Sequence, residues 1–233
     1  FRHFCQNQET PMSPNSQLMK DVVLSEKRGD VLIPALTAYL RRSVKERQDK
    51  QFVMRDCDLT IACFKERKTE YNHRDDSSIA AKTYYHPSSL GSCLRMQWYS
   101  RTGAPETAPR ASDPLREYMV FEMGTYVGVA LQNFMAHAGI LVRREVPVLD
   151  HVQKIIGHAD ALVKIGDVLY VVELKTINSR RFLELLDGPS EAHRIQCHAY
   201  MSSLKVWRAI TLYFDKDTNK LKEFQVPFDK DYH

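Results

Sequence analysis

An α/β fold, with a central mixed β-sheet flanked by helices and a mainly helical N-terminal region, is predicted by three features of this sequence. The stretch GHADALVKIGDVLYVVELKT at 157–176 reads as two strands, 155–164 and 168–175, around a tight turn at Gly166-Asp167. It concentrates the β-branched and aromatic residues that suit a pleated, half-buried surface. Helical segments bracket it at 114–138 and 190–204, and a second strand pair, 209–215 and 220–227, follows around the turn Asp217-Thr218-Asn219. Strands interleaved with helices in this order suit a layered α/β domain.

The remaining elements follow along the chain. The first twenty residues, with Asn7, Pro11 and Pro14, predict a loose arm. Apolar residues at Val31, Leu32, Ala35, Leu36, Tyr39, Leu40 and Val44 then give the spacing of an amphipathic helix over 31–47, with Pro34 in its first turn, where proline is tolerated. The segment 52–64 has no clear period, and 65–82 is polar, with Asp75-Asp76-Ser77-Ser78 inside it, as in a linker. Residues 1–82 therefore form a predicted helical accessory region and 83–233 the core domain. A helix is expected over 89–99 and a strand over 142–149.

Composition places few limits on function. The chain has 233 residues, 43% hydrophobic and 27% charged, with a net charge of +4, which suits an ordinary folded domain with an extension. Basic clusters occur at Arg41-Arg42 with Lys45 and Arg47, at Lys65 with Arg67-Lys68, at Arg143-Arg144 and at Arg180-Arg181. Each is a solvated face or part of a phosphate-tracking surface. Cysteines at 5, 57, 63, 93 and 197 make no C-x-x-C motif and no even framework, which points to a reducing compartment. No apolar run approaches 18 residues and no signal-peptide pattern opens the chain, so the expectation is a cytoplasmic protein with no membrane partner.

The chemistry centres on the 157–176 hairpin. Side chains alternate along a strand, so Glu173 and Lys175 share a face, and the hairpin return brings Asp160 beside them. Two carboxylates can hold Mg²⁺ or Mn²⁺ through hard oxygen ligands, and an ammonium can orient water or neutralise charge developing at phosphorus. The plainer alternative is a surface hairpin with a solvated ion pair of little energetic weight. Against it stands the position of Glu173 inside Val-Val-Glu-Leu-Lys, where a half-buried carboxylate needs a partner.

Gly157-His158-Ala159-Asp160 followed by Glu173-Leu174-Lys175-Thr176 resembles the G-h-x-D and E-x-K motifs of the PD-(D/E)xK nuclease superfamily. Three further segments resemble its RecB-like branch, which includes phage and CRISPR-associated exonucleases. His86-Pro87-Ser88-Ser89-Leu90-Gly91-Ser92-Cys93-Leu94-Arg95, with Gln97-Trp98-Tyr99, is similar to the entry to these domains. Phe121-Glu122-Met123-Gly124 running into Leu131-Gln132 resembles the first-motif helix, and Gln196-Cys197-His198-Ala199-Tyr200 matches Q-x-x-x-Y. The resemblance implies a restriction-endonuclease-like core and a metal-dependent deoxyribonuclease, an exonuclease of DNA processing or recombination in a bacterial or phage-infected cell. It implies metal binding by Asp160, Glu173 and the Leu174 carbonyl. Lys175 would act on water or the transition state, and Gln196 with Tyr200 would orient water or substrate. DNA, as single strands or duplex ends, would be held by Arg95, Arg180 and Arg181. Residues 1–82 would guide DNA, bind a protein partner, or simply pack on the core. Cys93 matches the early cysteine of the iron-sulfur members, but the late trio is missing, so no cluster is expected.

One position departs from the family. Gly128 stands where many members carry a metal-binding histidine, and a mid-helix glycine costs about 1 kcal/mol relative to alanine. Either Asp160, Glu173 and Leu174 suffice with water, or Glu122, Gln132 or His158 compensates, or Gly128 lets a DNA strand or a helix approach, or it was introduced to abolish activity. Two alternatives to an exonuclease follow: a catalytically impaired DNA-binding or assembly module, and a structure-specific endonuclease.

Overall fold

The computed structural model describes residues 29–48, 84–102, 104 and 113–232. The predicted N-terminal arm, the unassigned 52–64 segment and the 65–82 linker lie outside them. Helices α1 (Leu32–Gln48), α2 (Pro87–Leu90), α3 (Leu94–Thr102) and α4 (Pro114–His137) precede strands β1 (Leu141–Asp150), β2 (Ile155–Ile165) and β3 (Val168–Ile177). Helices α5 (Ser179–Glu184) and α6 (Glu191–Leu204) then lead to β4 (Arg208–Asp215), β5 (Lys220–Pro227) and a short 3₁₀ turn at Lys230–Tyr232.

The five strands lie in chain order, antiparallel except between β3 and β4. That parallel pair is the one joined by a helical crossover, as parallel pairing requires. The chain thus forms the predicted central mixed sheet flanked by helices. Each face of the sheet has its own apolar layer. On one face Leu32, Ile33 and Leu36 of α1 and Leu131 and Met135 of α4 pack on Ala161, Val163, Tyr170, Val172, Ile210 and Leu212. On the other, Cys197, Ala199, Tyr200 and Met201 of α6 pack on Val146, Val148, Ile155, Ala159, Val171, Ala209 and Val226. Burying each valine, leucine, isoleucine or methionine among them contributes about 1.5–3 kcal/mol before conformational entropy is counted.

Helix α1 is anchored by a residue far along the chain. Glu223 of β5 is buried, and its carboxylate accepts the N–H groups of Val31 at 2.5 Å, Leu32 at 3.2 Å and Ile33 at 2.5 Å. These are the orphan donors of a helix N-terminus, which favour a negative charge. Asp113 performs the same task locally for α4, accepting from Leu115 and Arg116.

The helix predicted over 89–99 is two helices. The chain turns at 91–93 because a Cβ on Gly91 would lie 2.4 Å from the Cα of Ala192, so only glycine lets this turn rest on α6. The carbonyls released by the break are taken locally. Gln97 Nε2 donates to Leu90 and Ser92 oxygens at 3.2 and 3.0 Å, and Ser92 Oγ donates to the Ser89 oxygen at 2.5 Å. Helix α5 was not expected from the sequence; Asn178 caps it by accepting from the Arg181 N–H.

Candidate active site

The site forms where β2 separates from β3. Paired residues run from Ile165↔Val168 to Ala161↔Val172 and stop there, so Asp160 and Glu173 come next, across from each other. Asp160 fills the break by using its carboxylate as a backbone would: Oδ2 accepts the Leu174 N–H at 2.6 Å. The twist is local, since Ala161 belongs to the α1/α4 layer while Ala159, two residues away, belongs to the α6 layer.

Glu173 and Lys175 share a strand face, as period-two alternation predicts, and Lys175 Nζ lies 2.6 Å from Glu173 Oε1. Lys175 also donates to Gln196 Oε1 at 3.1 Å; Gln196 Nε2 donates to the Tyr200 hydroxyl at 3.1 Å, and that hydroxyl donates to the His158 carbonyl at 2.7 Å. The i, i+4 spacing on α6 therefore builds a polar relay from the lysine back to β2. Within it the Tyr200 hydroxyl is buried and committed to backbone, which fixes α6 against the sheet.

The electrostatics are those of a site short of positive charge. Burial raises the Asp160 carboxyl well above its ordinary range, and the neighbouring Glu173 charge adds to this. Glu173 is also raised by burial, against the opposing pull of Lys175. Burial pulls Lys175 down, but its carboxylate neighbours outweigh this and leave its pKa raised. Glu173 is 3% exposed, and its second oxygen, Oε2, is buried without a hydrogen-bond partner. Such an orphaned anionic oxygen is costly, and a Mg²⁺ or Mn²⁺ ion held with Asp160 would satisfy it. The residues present fit a divalent cation on that ground, although among the described residues no three His, Cys, Asp or Glu side chains are close enough together to chelate one.

A groove of about 330 Å³ opens onto Asp160 and Lys175 between α4 and β3. Its α4 wall carries Phe121, Gly124, Thr125, Gly128 and Gln132. A Cβ on Gly128 would meet nothing within 4 Å, so the missing side chain leaves open space in the groove that Asp160 lines. A larger cavity of about 600 Å³, around Trp207–Ala209 and Gln225–Phe228, has no carboxylate in its lining and includes none of the candidate site residues.

The other predicted residues are dispersed. Gln132 is fully buried behind Asp160, with Nε2 donating to the Asp160 carbonyl at 2.8 Å and to Glu145 Oε1 at 2.9 Å. Glu122 is half-buried on α4 and does not line the groove, and His158 contributes its carbonyl to Tyr200. Arg95 is exposed on α3. Arg180 and Arg181 are exposed on α5, where Arg180 pairs with Glu184 at 3.2 Å. Leu174 lines the groove, with its N–H given to Asp160.

Two residues near the site were missed in the sequence. Glu145 lies opposite Asp160, because Arg144↔Ala161 and Val146↔Ala159 flank it in the β1–β2 register. Its backbone is left-handed, with φ of 42°, which costs a non-glycine residue about 1–2 kcal/mol. Its only sequence signal is an acidic residue inside a strand. His193 of α6 meets the Tyr213 hydroxyl through Nδ1 at 2.7 Å. Burial, then the charges of Lys175 and Arg181, lower its pKa from 6.5 to about 4.

A depressed histidine pKa means that the unfolded chain takes up a proton that the folded chain refuses. The stability His193 permits is complete above pH 6.5 and is lost as pH falls towards about 4. Allowing for its partial exposure, the loss should be about 1–2 kcal/mol. Urea unfolding of the protein and His193→Gln at pH 7.5 and 4.5 should show a smaller acid loss in the variant; equal losses would contradict the assignment.

No family model and no curated protein matches this sequence. Among solved structures, the chain is similar to the protein SSO0001, with 18% identity and a TM-score of 0.45 over 72% of this chain and 82% of the other. It is also similar to the alkaline exonuclease LHK-Exo from Laribacter hongkongensis, with 15% identity and a TM-score of 0.47 over 66% and 81% of the two chains. The LHK-Exo complex with dAMP gives 19% identity and a TM-score of 0.46 over 66% and 82%.

Proposed function

We propose that this chain is a metal-dependent nuclease that hydrolyses phosphodiester bonds of DNA, acting as an exonuclease. The observation that carries the reading is the Asp160–Glu173 pair beside Lys175, with Asp160 and Lys175 lining an open groove and a buried Glu173 oxygen left without a hydrogen-bond partner. Asp160 and Glu173, with the Leu174 carbonyl, would hold Mg²⁺ or Mn²⁺. When bound, the ion supplies charge neutralisation at a phosphate oxygen and an activated water.

The chain's own residues do the rest. Lys175, raised in pKa and steered by Glu173 and Gln196, presents a fixed positive charge where negative charge develops at phosphorus. Gln196 and Tyr200 hold that lysine in place through the relay to the His158 carbonyl. Gly124 and Gly128 keep the α4 wall low enough for a strand to reach the carboxylates, and Phe121, 73% exposed at the groove, offers a ring on which a base can stack. Arg95, Arg180 and Arg181, exposed on α3 and α5, would meet the DNA backbone.

The test is incubation of the purified protein with end-labelled linear duplex and single-stranded DNA and with circular DNA, in Mg²⁺ and in Mn²⁺. Progressive shortening of linear DNA with circular DNA intact is expected, lost in Asp160→Asn. Cutting of circles would favour the endonuclease alternative. If the protein and a Gly128→His variant both leave every substrate intact, the nuclease reading fails and a DNA-binding or assembly module takes its place.

A further inference from the structure

The strand registers place three acidic residues at adjoining positions of β1, β2 and β3: Glu145 falls between the pairs Arg144↔Ala161 and Val146↔Ala159, and Asp160 and Glu173 follow the last β2–β3 pair, Ala161↔Val172. Resting on the metal-dependent reading above, we propose that Glu145 is the third acidic member of the cation site and acts on the ion's hydration shell rather than by direct coordination.

Four observations converge on this. Glu145 sits in left-handed backbone in mid-strand, φ 42°, a conformation that a merely solvated glutamate would have no need to keep. It is held there from the core: fully buried Gln132 donates from one nitrogen to Glu145 Oε1 at 2.9 Å and to the Asp160 carbonyl at 2.8 Å, so both acidic residues share one anchor. The negative charge of Glu145 bears on both Asp160 and Glu173. Three neighbouring carboxylates repel one another, Lys175 is paired with Glu173, and a further cation would relieve the repulsion that Lys175 leaves. Independently, the buried, unpartnered Glu173 Oε2 points to a missing positive ligand.

Geometry decides the mode. Among the described residues no three His, Cys, Asp or Glu side chains form a group that could hold one ion, so three-carboxylate chelation is not the arrangement. Mg²⁺ usually keeps several waters and takes one or two carboxylates, so a further carboxylate at second-layer distance can accept hydrogen bonds from those waters. Gln132 then serves as a positioning residue and not as a ligand.

The experiment is calorimetric titration of Mn²⁺ into the metal-free protein, Glu145→Gln and Asp160→Asn, with thermal unfolding of each metal-free sample. The glutamine keeps an Oε1 acceptor for Gln132 and removes only the charge. Glu145→Gln should weaken Mn²⁺ binding about tenfold, as loss of an outer-shell partner does, with no fall in the metal-free unfolding temperature. Cobalt(III) hexaammine, whose inert ammines permit contact only through its outer layer, should bind the parent and bind Glu145→Gln more weakly. If Glu145→Gln binds both ions like the parent while Asp160→Asn loses Mn²⁺, the site is real and Glu145 is merely structural, which overturns this proposal alone. A parent protein that takes up no Mn²⁺ overturns both this proposal and the metal-dependent reading.

Discussion

Lys175→Met is expected to slow DNA cleavage by about 10²–10³-fold, because the only cation paired with Glu173 among the described residues is also the group that meets charge at phosphorus. The same change should lower stability at pH 8 by about 3 kcal/mol, since Glu173 is left as a buried, unpaired carboxylate. The pH dependence separates this from simple loss of packing. Without the lysine, the buried Glu173 carboxyl rises further above its ordinary range and the folded variant holds a proton that the unfolded chain releases. The deficit should therefore be small near pH 4.5 and grow as pH rises. Urea unfolding at pH 5 and pH 8 measures it; a deficit equal at both would mean that the ion pair contributes little. Glu173→Gln should behave oppositely in stability, holding or raising it in the metal-free protein while cleavage is lost.

The second large effect is expected at Glu223→Ala. Three N–H groups of the first turn of α1 lose their acceptor in a buried setting, and Leu32, Ile33 and Leu36 lose the anchor that seats them in the core. A loss of about 3 kcal/mol follows from unmet buried donors and a lost helix cap. In a domain of this size that corresponds to a fall of about 6–12 °C in unfolding temperature. Hydrogen exchange at residues 31–36 should accelerate more than exchange in β3, where the amides are tied into the central sheet. Glu223→Gln keeps one acceptor oxygen and should fall between the two. Unchanged exchange at α1 in the alanine variant would show that apolar packing alone seats the helix.

Much of this architecture is legible from local chemistry. The Ile155–Ile165 and Val168–Ile177 hairpin is written in β-branched residues around Gly166, and period-two alternation by itself places Glu173 and Lys175 together. The helical pair Gln196 and Tyr200 meets as i, i+4 spacing requires. Other features depend on contacts between distant segments. Gly91 looks like a tolerable helix interruption until its approach to Ala192 is known. Glu223, in Lys-Leu-Lys-Glu-Phe, reads as a solvent-facing strand charge and becomes a helix cap only because α1, 190 residues earlier in the chain, docks on β5.

The sequence by itself determined the strand pairs, the helical segments and the identity of the central carboxylates and lysine, because these follow from backbone preference and side-chain period over a few residues. Tertiary structure decided how buried those charges are, which oxygen is left unmet, and that Glu145 stands beside Asp160. Burial and strand register are properties of neighbours in space. The field each charge feels depends on what the rest of the chain packs around it.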